Sequence, residues 1–106
     1  MSKINEWQNA EPGVKRKIFE PGASIMMMEV HFEQDAVGYI HSHPHEQFSY
    51  CLEGELEFKV GDDIKVIKQG ETIFIPSGVE HGCRAVKPSK LIDAFTPLRL
   101  DLLGRA

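Results

Sequence analysis

The chain has 106 residues, 42% of them hydrophobic and 26% charged, which predicts one globular domain over residues 1–106 with a single modest core. Its formal charge of −4 argues against nucleic acid as the main partner, because phosphate binding needs a basic surface. No apolar run approaches the roughly 20 residues that span a bilayer, so we expect no membrane partner. The start, "MSKINEWQNAEPG", lacks a signal-peptide pattern, so we expect a cytoplasmic protein.

Turn signals divide the chain into short segments rich in Ile, Val, Phe and Met, from "PG" at residues 21–22 to "KPSK" at 87–90. In "ELEFKV", Leu56, Phe58 and Val60 alternate with charged residues, which is typical of a half-buried strand. Eight or nine such strands favour an all-β fold, a small jelly-roll barrel over about residues 13–97 with a short N-terminal arm. The tail "LRLDLLGRA" is expected to form either a short helix or an extended arm.

Met26, Met27 and Met28 are interpreted as apolar filling of the core on an early strand. Cys51 and Cys83 are the only cysteines in the sequence, and in a reducing cytoplasm we expect them to be free thiols.

Three histidines and a glutamine crowd into "HSHPHEQ" at residues 41–47. On a strand His41 and His43 would point to the same face, and a turn after Pro44 would bring the amide oxygen of Gln47 to them. His81 follows a turn at residues 76–78 and is the fourth candidate. Three imidazole nitrogens and one neutral oxygen suit a first-row divalent metal such as Zn, Ni, Fe or Mn, with positions left open for water or substrate.

A histidine-rich heptapeptide is also common in surface loops that bind no metal, and at this point that alternative stays open. His45 follows a proline and is expected to point away from the cluster. His31 is expected on a polar strand face beside Glu29. Cys83, two residues beyond His81, is expected to face inward near the site, and a role as a fifth ligand or behind the ligands is the less favoured alternative.

The segment after the cluster alternates in polarity. If Gln47, Ser49 and Cys51 face the metal cavity, then Phe48, Tyr50 and Leu52 face outward. An apolar outer sheet face invites a partner subunit, so we expect a homodimer.

In "LIDAFTPLR", Asp93 shares a strand face with Phe95, which places a carboxylate among apolar neighbours. Such a carboxylate is costly unless it is paired or used. One explanation is an ion pair with Arg99, Lys15 or Arg16, and the other is a general acid/base that opens into the barrel. The planar fork of Arg99 suits a substrate carboxylate, although exposed arginines are common.

Two spaced motifs resemble those of the cupin family: His41-x-His43-x3-Gln47-x6-Gly54 and Gly70-x5-Pro76-x-Gly78-x2-His81. Gln47 stands where the family usually has Glu. Gly38 is closer to the first histidine than in the family motif, and no Asn follows His81 at the usual distance. The resemblance implies a single-domain cupin jelly-roll barrel that holds one divalent metal with these three histidines and the glutamine.

The segments "GVKRKIF", "MMMEVHF", "AVGYIHSHPHEQ", "HGCRAV" and "LIDAFTPLRLDLL" resemble the small cupins called pectin degradation proteins, from Gly13 to Leu103. That resemblance implies metal-dependent ring opening of 4,5-unsaturated monouronates from pectin or alginate, with a small sugar acid as the substrate. It implies Asp93 as the proton-transfer residue, Arg99 as the carboxylate-binding residue and Phe95 in the pocket wall. The alternatives are a cupin dioxygenase that uses Fe(II) and a non-catalytic small-molecule-binding cupin.

Overall fold

The computed structural model describes residues 4–105, and within them the chain forms ten strands and no helix. The all-β prediction is therefore confirmed, with ten strands in place of eight or nine. The strands are β1 (Trp7–Glu11), β2 (Val14–Ile18), β3 (Met26–Phe32), β4 (Val37–His41), β5 (Glu46–Glu53), β6 (Glu55–Val60), β7 (Asp63–Lys68), β8 (Thr72–Ile75), β9 (His81–Ala85) and β10 (Ser89–Thr96).

The strands form two antiparallel sheets around one core. The larger sheet has the order β1-β2-β3-β10-β5-β8, and the smaller has the order β4-β9-β6-β7. Both sheets contribute to the same buried cluster, for example Met26 and Phe95 from the larger and Leu56 and Ile67 from the smaller. Strand β1 occupies residues expected to form an arm, and it pairs with β2 at the edge of the larger sheet.

Alternation along the strands sets which side chains reach the core. In β3, Met26 and Met28 are buried while Met27 is exposed, because neighbouring residues of a strand point to opposite faces. The prediction that all three methionines fill the core was therefore wrong for Met27. In β10, Leu91, Asp93 and Phe95 all point inward, as the sequence pattern predicted.

The tail forms neither a helix nor an extended arm. After β10 the chain makes a compact turn, in which the N–H of Leu103 donates to the carbonyl of Arg99 at 3.1 Å and the N–H of Arg105 donates to that of Leu100 at 2.8 Å. Leu103 is buried in the core, so the tail folds back over the barrel and holds Arg99 beside it. None of the residues in the range 4–105 belongs to a helix long and apolar enough to cross a membrane.

Candidate active site

Strands of the smaller sheet place two of the candidate metal ligands side by side. His41 ends β4, His81 begins β9, and the two are direct partners in the antiparallel register. Strands β4 and β9 approach closely there because Gly82 has no side chain. A Cβ at that position would lie 2.8 Å from the carbonyl oxygen of Gly38. The turn at residues 76–80 thus delivers His81 to His41, as the sequence predicted.

His43 reaches the site by another route. The expectation that it shares a strand with His41 was wrong, because β4 ends at His41 and residues 42–45 form a turn that contains Pro44. The turn leads directly into β5, whose second residue is Gln47. A bend rather than strand periodicity therefore brings His43 and Gln47 to the other histidines.

The three imidazoles point one nitrogen each toward a common centre. Ligand atoms of His41, His43 and His81 all lie within 4.8 Å of one another. Each Nδ1 lies beside a backbone carbonyl: that of Tyr39 at 2.8 Å, of His45 at 3.1 Å and of Val79 at 2.9 Å, respectively. An Nδ1–H that donates to a carbonyl leaves the Nε2 lone pair free, which is the form that binds a metal.

The nitrogen and oxygen atoms at this centre are electron-pair donors that suit a cation, and no described side chain supplies a positive charge between them. The Nε2 of His81 is buried without a hydrogen-bond partner. The Nε2 of His43 lies 3.0 Å from the Oε1 of Gln47, and in the tautomer set by the His45 carbonyl these are two facing acceptors. These imidazoles do not gain a proton easily. Burial lowers the pKa of His81 to about 4, and burial, followed by the charge of Arg99, lowers the pKa of His43. A shared divalent ion would satisfy all these atoms.

The centre opens on a cavity of about 300 Å³ between the sheets. Its walls include His41, Gln47, His81, Asp93, Phe95 and Arg99. His41 is exposed while His43 and His81 are buried, so the first histidine lies at the mouth. A larger surface groove, of about 1090 Å³, runs past residues 9–15 and 31–34 and contains none of the candidate site residues. The chemistry therefore places the site in the smaller cavity.

Asp93 is connected to the ligands by hydrogen bonds. Its Oδ1 accepts from the hydroxyl of Ser49 at 2.5 Å and from the Nε2 of Gln47 at 3.2 Å. Burial raises the pKa of Asp93 to about 6, against the opposing effect of these two hydrogen bonds. Ser49 is the register partner of Asp93 between β5 and β10. Because the Nε2 of Gln47 donates to Asp93, the Oε1 on the other side of the same amide faces His43.

The ion pair considered for Asp93 is not formed. The guanidinium of Arg99 donates instead to Asp101, with Nε to Oδ1 at 3.1 Å and Nη2 to Oδ2 at 2.8 Å. Lys15 is exposed and lies over the Trp7 ring. Among the residues that the structure describes, Arg16 makes no ion pair with Asp93 either. The Asp93 carboxyl therefore has hydrogen bonds but no paired cation.

Phe95 lies between the candidate metal ligand His43 and Arg99. The carbon centre of the Arg99 guanidinium lies 5.1 Å from the Phe95 ring centroid, a cation–π distance. The edge of the same ring system meets the His43 imidazole, with centroids 5.7 Å apart. Phe95 lines the cavity wall, the position that the family resemblance implied, and its ring lies against the Arg99 guanidinium.

The remaining polar candidates lie outside the ligand group. His45 donates from Nε2 to the Leu98 carbonyl at 3.0 Å, and His31 hydrogen-bonds Glu29. Cys51 and Cys83 are free. Cys83 lines the cavity, and burial raises the pKa of its thiol to about 12.

Sequence reasoning did not assign roles to two residues that the structure brings to the site, Ser49 and Asp101. The inward face of β5 was predicted, and Ser49 is on it, but only the pairing of β5 with β10 sets it against Asp93. Asp101 meets Arg99 because the tail turns back. Arg16 was weighed only as an ion-pair partner of Asp93, and the structure places it in the cavity wall instead.

Comparisons with known proteins agree with this architecture. The Cupin domain family model matches residues 28–95, more than half of the chain. The chain is 33% identical over 99 residues to the pectin degradation protein KdgF of Dickeya dadantii (strain 3937), covering 92% of this chain and 90% of that protein.

Two solved structures superpose closely. One is KdgF from Halomonas sp., with a TM-score of 0.87 and 34% identity, over 92% of this chain and 90% of that chain. The other is an RmlC-like cupin from Shewanella frigidimarina NCIMB 400, with a TM-score of 0.87 and 36% identity, over 92% and 87%. The chain therefore belongs to the cupin family and, within it, to the group of the pectin degradation protein KdgF.

Proposed function

We propose that the protein is a metal-dependent enzyme that opens the ring of 4,5-unsaturated monouronates, sugar acids released from pectin or alginate. The observation that carries the proposal is the 33% identity to the pectin degradation protein KdgF over 92% of the chain. The cupin motifs alone do not choose a reaction, because proteins of many functions share them. The cavity adds chemical support, since His41, His81, Asp93 and Arg99 all line it.

His41, His43, Gln47 and His81 would hold one divalent ion, whose identity among Zn, Ni, Fe and Mn the donor set leaves open. When bound, such an ion supplies positive charge that polarises substrate oxygens and offsets negative charge developing on them. Gln47 has a second task in this arrangement. Its amide N–H group donates to Asp93, so one side chain orients both the ligand oxygen and the carboxyl group.

Asp93 is proposed to carry the proton. In the ring form the substrate has a C1 hydroxyl, and its ring oxygen is attached to the C4=C5 double bond. Asp93 removes the hydroxyl proton, the bond between C1 and the ring oxygen breaks, and C1 becomes an aldehyde while the ring oxygen keeps the bonding electron pair as an enolate on C5. Transfer of that proton from Asp93 to C4 converts the enolate to a ketone, so the product is an isomer and no oxidant is needed. The raised pKa of Asp93, about 6, suits a group that takes and returns a proton near neutrality.

Arg99 and Phe95 are proposed to orient the substrate. The guanidinium attracts the carboxylate at C6, and the Phe95 ring supports one face of the sugar ring. Because Phe95 also contacts His43, the carboxylate end and the metal ligands are kept at a fixed separation. Holding the substrate in one orientation lowers the entropic part of the activation free energy.

The proposal includes a cytoplasmic homodimer. Phe48 and Phe74 lie side by side on the outer face of the larger sheet, with ring centroids 5.1 Å apart, and they are 55% and 41% exposed. Tyr50 and Met27 extend the same face. A patch of this kind favours burial against a second copy. Two free cysteines accord with a reducing compartment.

The test is product analysis with purified protein and a 4,5-unsaturated monouronate, with and without added divalent metal and with and without oxygen. Ring opening predicts a linear keto acid that forms in nitrogen as fast as in air. A requirement for oxygen would favour an Fe(II) dioxygenase. Binding of the acid without any product would favour a non-catalytic cupin.

A further inference from the structure

Arg16 is a half-buried cation on the inward face of a strand. It lies on β2 between Val14 and Ile18, both buried in the core, and it lines the same cavity as Arg99. On a strand these alternate positions share one face, so the Arg16 side chain points between the sheets. A cation in such a position costs free energy unless an anion or hydrogen bonds compensate it.

Residues 4–105 supply neither an ion pair for Arg16 nor a hydrogen-bond acceptor for its Nε. The Nε of Arg16 is buried without a hydrogen-bond partner, and its side chain forms none of the ion pairs in the described chain. Glu11 and Asp101 are the carboxylates whose charge it senses, while Arg99 repels it. Burial, followed by Arg99, lowers the pKa of Arg16. The Arg16 Nε therefore has no acceptor among the described residues.

Arg99 is itself only partly available. Its Nε and Nη2 donate to Asp101, which occupies the edge most suited to a bidentate carboxylate. The Nη1 end remains for a ligand. One arginine with one free end and a second with an unsatisfied Nε face the same cavity, and an incoming carboxylate has lone pairs for both.

We propose that Arg16 is a second carboxylate-binding residue, which grips the acid group of the substrate together with Arg99. This inference rests on the proposed function for the identity of the acid. It makes the site selective for sugars with a carboxylate over the corresponding neutral sugars, because a neutral sugar would offer no charged acceptor to the Nε of Arg16 and the Nη1 end of Arg99.

A ligand-binding role and a purely structural role differ in sign for stability. Arg16→Met keeps a long apolar stem and removes the uncompensated charge, so the variant should melt at the same temperature or higher. At the same time it should bind acids about 10- to 100-fold more weakly, the usual loss for hydrogen bonds to a charged group. A structural role predicts that stability and binding fall together.

The experiment uses metal-loaded wild type, Arg16→Met, Arg16→Lys and the control Lys15→Met. Lys15 is the adjacent residue on the outer side of β2, so its variant removes the same charge from outside the cavity. Three quantities are measured for each protein: the KM for a 4,5-unsaturated monouronate, the dissociation constant of galacturonate by NMR shift titration, and the melting temperature. Galactose serves as the neutral probe.

The inference predicts that KM and the galacturonate dissociation constant rise in Arg16→Met, rise less in Arg16→Lys, and stay unchanged in Lys15→Met, without a fall in melting temperature. An unchanged KM in Arg16→Met, with wild-type turnover intact, would overturn the inference and leave the proposed function standing. So would matching losses of stability and binding. Arg16-dependent binding of galacturonate without any turnover would instead overturn the proposed function alone. If the protein shows neither Arg16-dependent binding of galacturonate nor turnover, both the inference and the proposed function are overturned.

Discussion

Replacing Asp93 by Asn tests whether the ionised form of this buried carboxyl lowers the free energy of unfolding. Asn has nearly the same shape as Asp but cannot ionise. Both hydrogen bonds that Asp93 accepts, from Ser49 and Gln47, go to Oδ1, and Asn keeps an oxygen acceptor there. The substitution therefore removes the ionisation and leaves the packing and these contacts in place. It should make the metal-free protein more stable at neutral pH.

The magnitude follows from the pKa. Burial raises the pKa of Asp93 from 3.8 to about 6, so its stability contribution is fully present below 3.8 and is lost as pH rises through 6. About 2 pKa units at roughly 1.4 kcal/mol each give a loss of about 3 kcal/mol at pH 8. Asn escapes this loss. Its advantage should shrink to about 1 kcal/mol at pH 4.5, where the folded carboxyl is already protonated.

The assay is urea denaturation of metal-free wild type and Asp93→Asn at both pH values, followed by circular dichroism. Titration of His81, whose pKa is lowered to about 4, affects both proteins and cancels in the difference. Asp101→Asn is the control of opposite sign, because hydrogen bonds from Arg99 hold the pKa of Asp101 below its ordinary value. That control should lose stability at both pH values. A less stable Asp93→Asn protein at pH 8, or an equal gain at both, would refute the reasoning.

Three further predictions concern the metal, the substrate and the assembly. His81→Ala should abolish binding of added Zn or Ni in calorimetry, and wild type should gain about 2.7 kcal/mol of stability at a free metal concentration near 100 Kd; equal metal affinity in the variant would contradict the ligand set. Arg99→Ala should raise the KM about 10- to 100-fold, and an unchanged KM in steady-state assays would remove Arg99 from substrate binding. Phe48→Ser should shift the light-scattering mass from twice the 12.0 kDa chain toward one chain; a monomeric wild type would end the dimer proposal.

Strand periodicity made the inner wall of the site predictable. Because side chains alternate, the inward facing of Gln47, Ser49 and Cys51 on β5 follows from the sequence, and so does that of Asp93 and Phe95 on β10. The placement of His81 followed from the turn before it. These are local properties, and they needed no knowledge of how the strands pair.

Contacts that depend on bends and on pairing between distant strands were not predictable. His43 was expected on a strand, but the turn at residues 42–45 carries it. Arg99 was weighed as a partner for Asp93, yet the folded-back tail gives it Asp101, only two residues away. The bond between Ser49 and Asp93 joins residues 44 positions apart and depends on the register of β5 with β10. A single sequence contains no direct signal for that register.

The central claim, that this barrel opens unsaturated uronates with Asp93 as the proton carrier, is tested most directly by one rate comparison. Metal-loaded wild type and Asp93→Asn are mixed with a purified 4,5-unsaturated monouronate, and decay of the conjugated double bond's ultraviolet absorbance is followed against buffer, with NMR of the product. We predict wild-type decay well above buffer and a rate for Asp93→Asn that is about 10²–10⁴-fold lower, with metal content unchanged. Wild-type decay no faster than buffer would contradict the account.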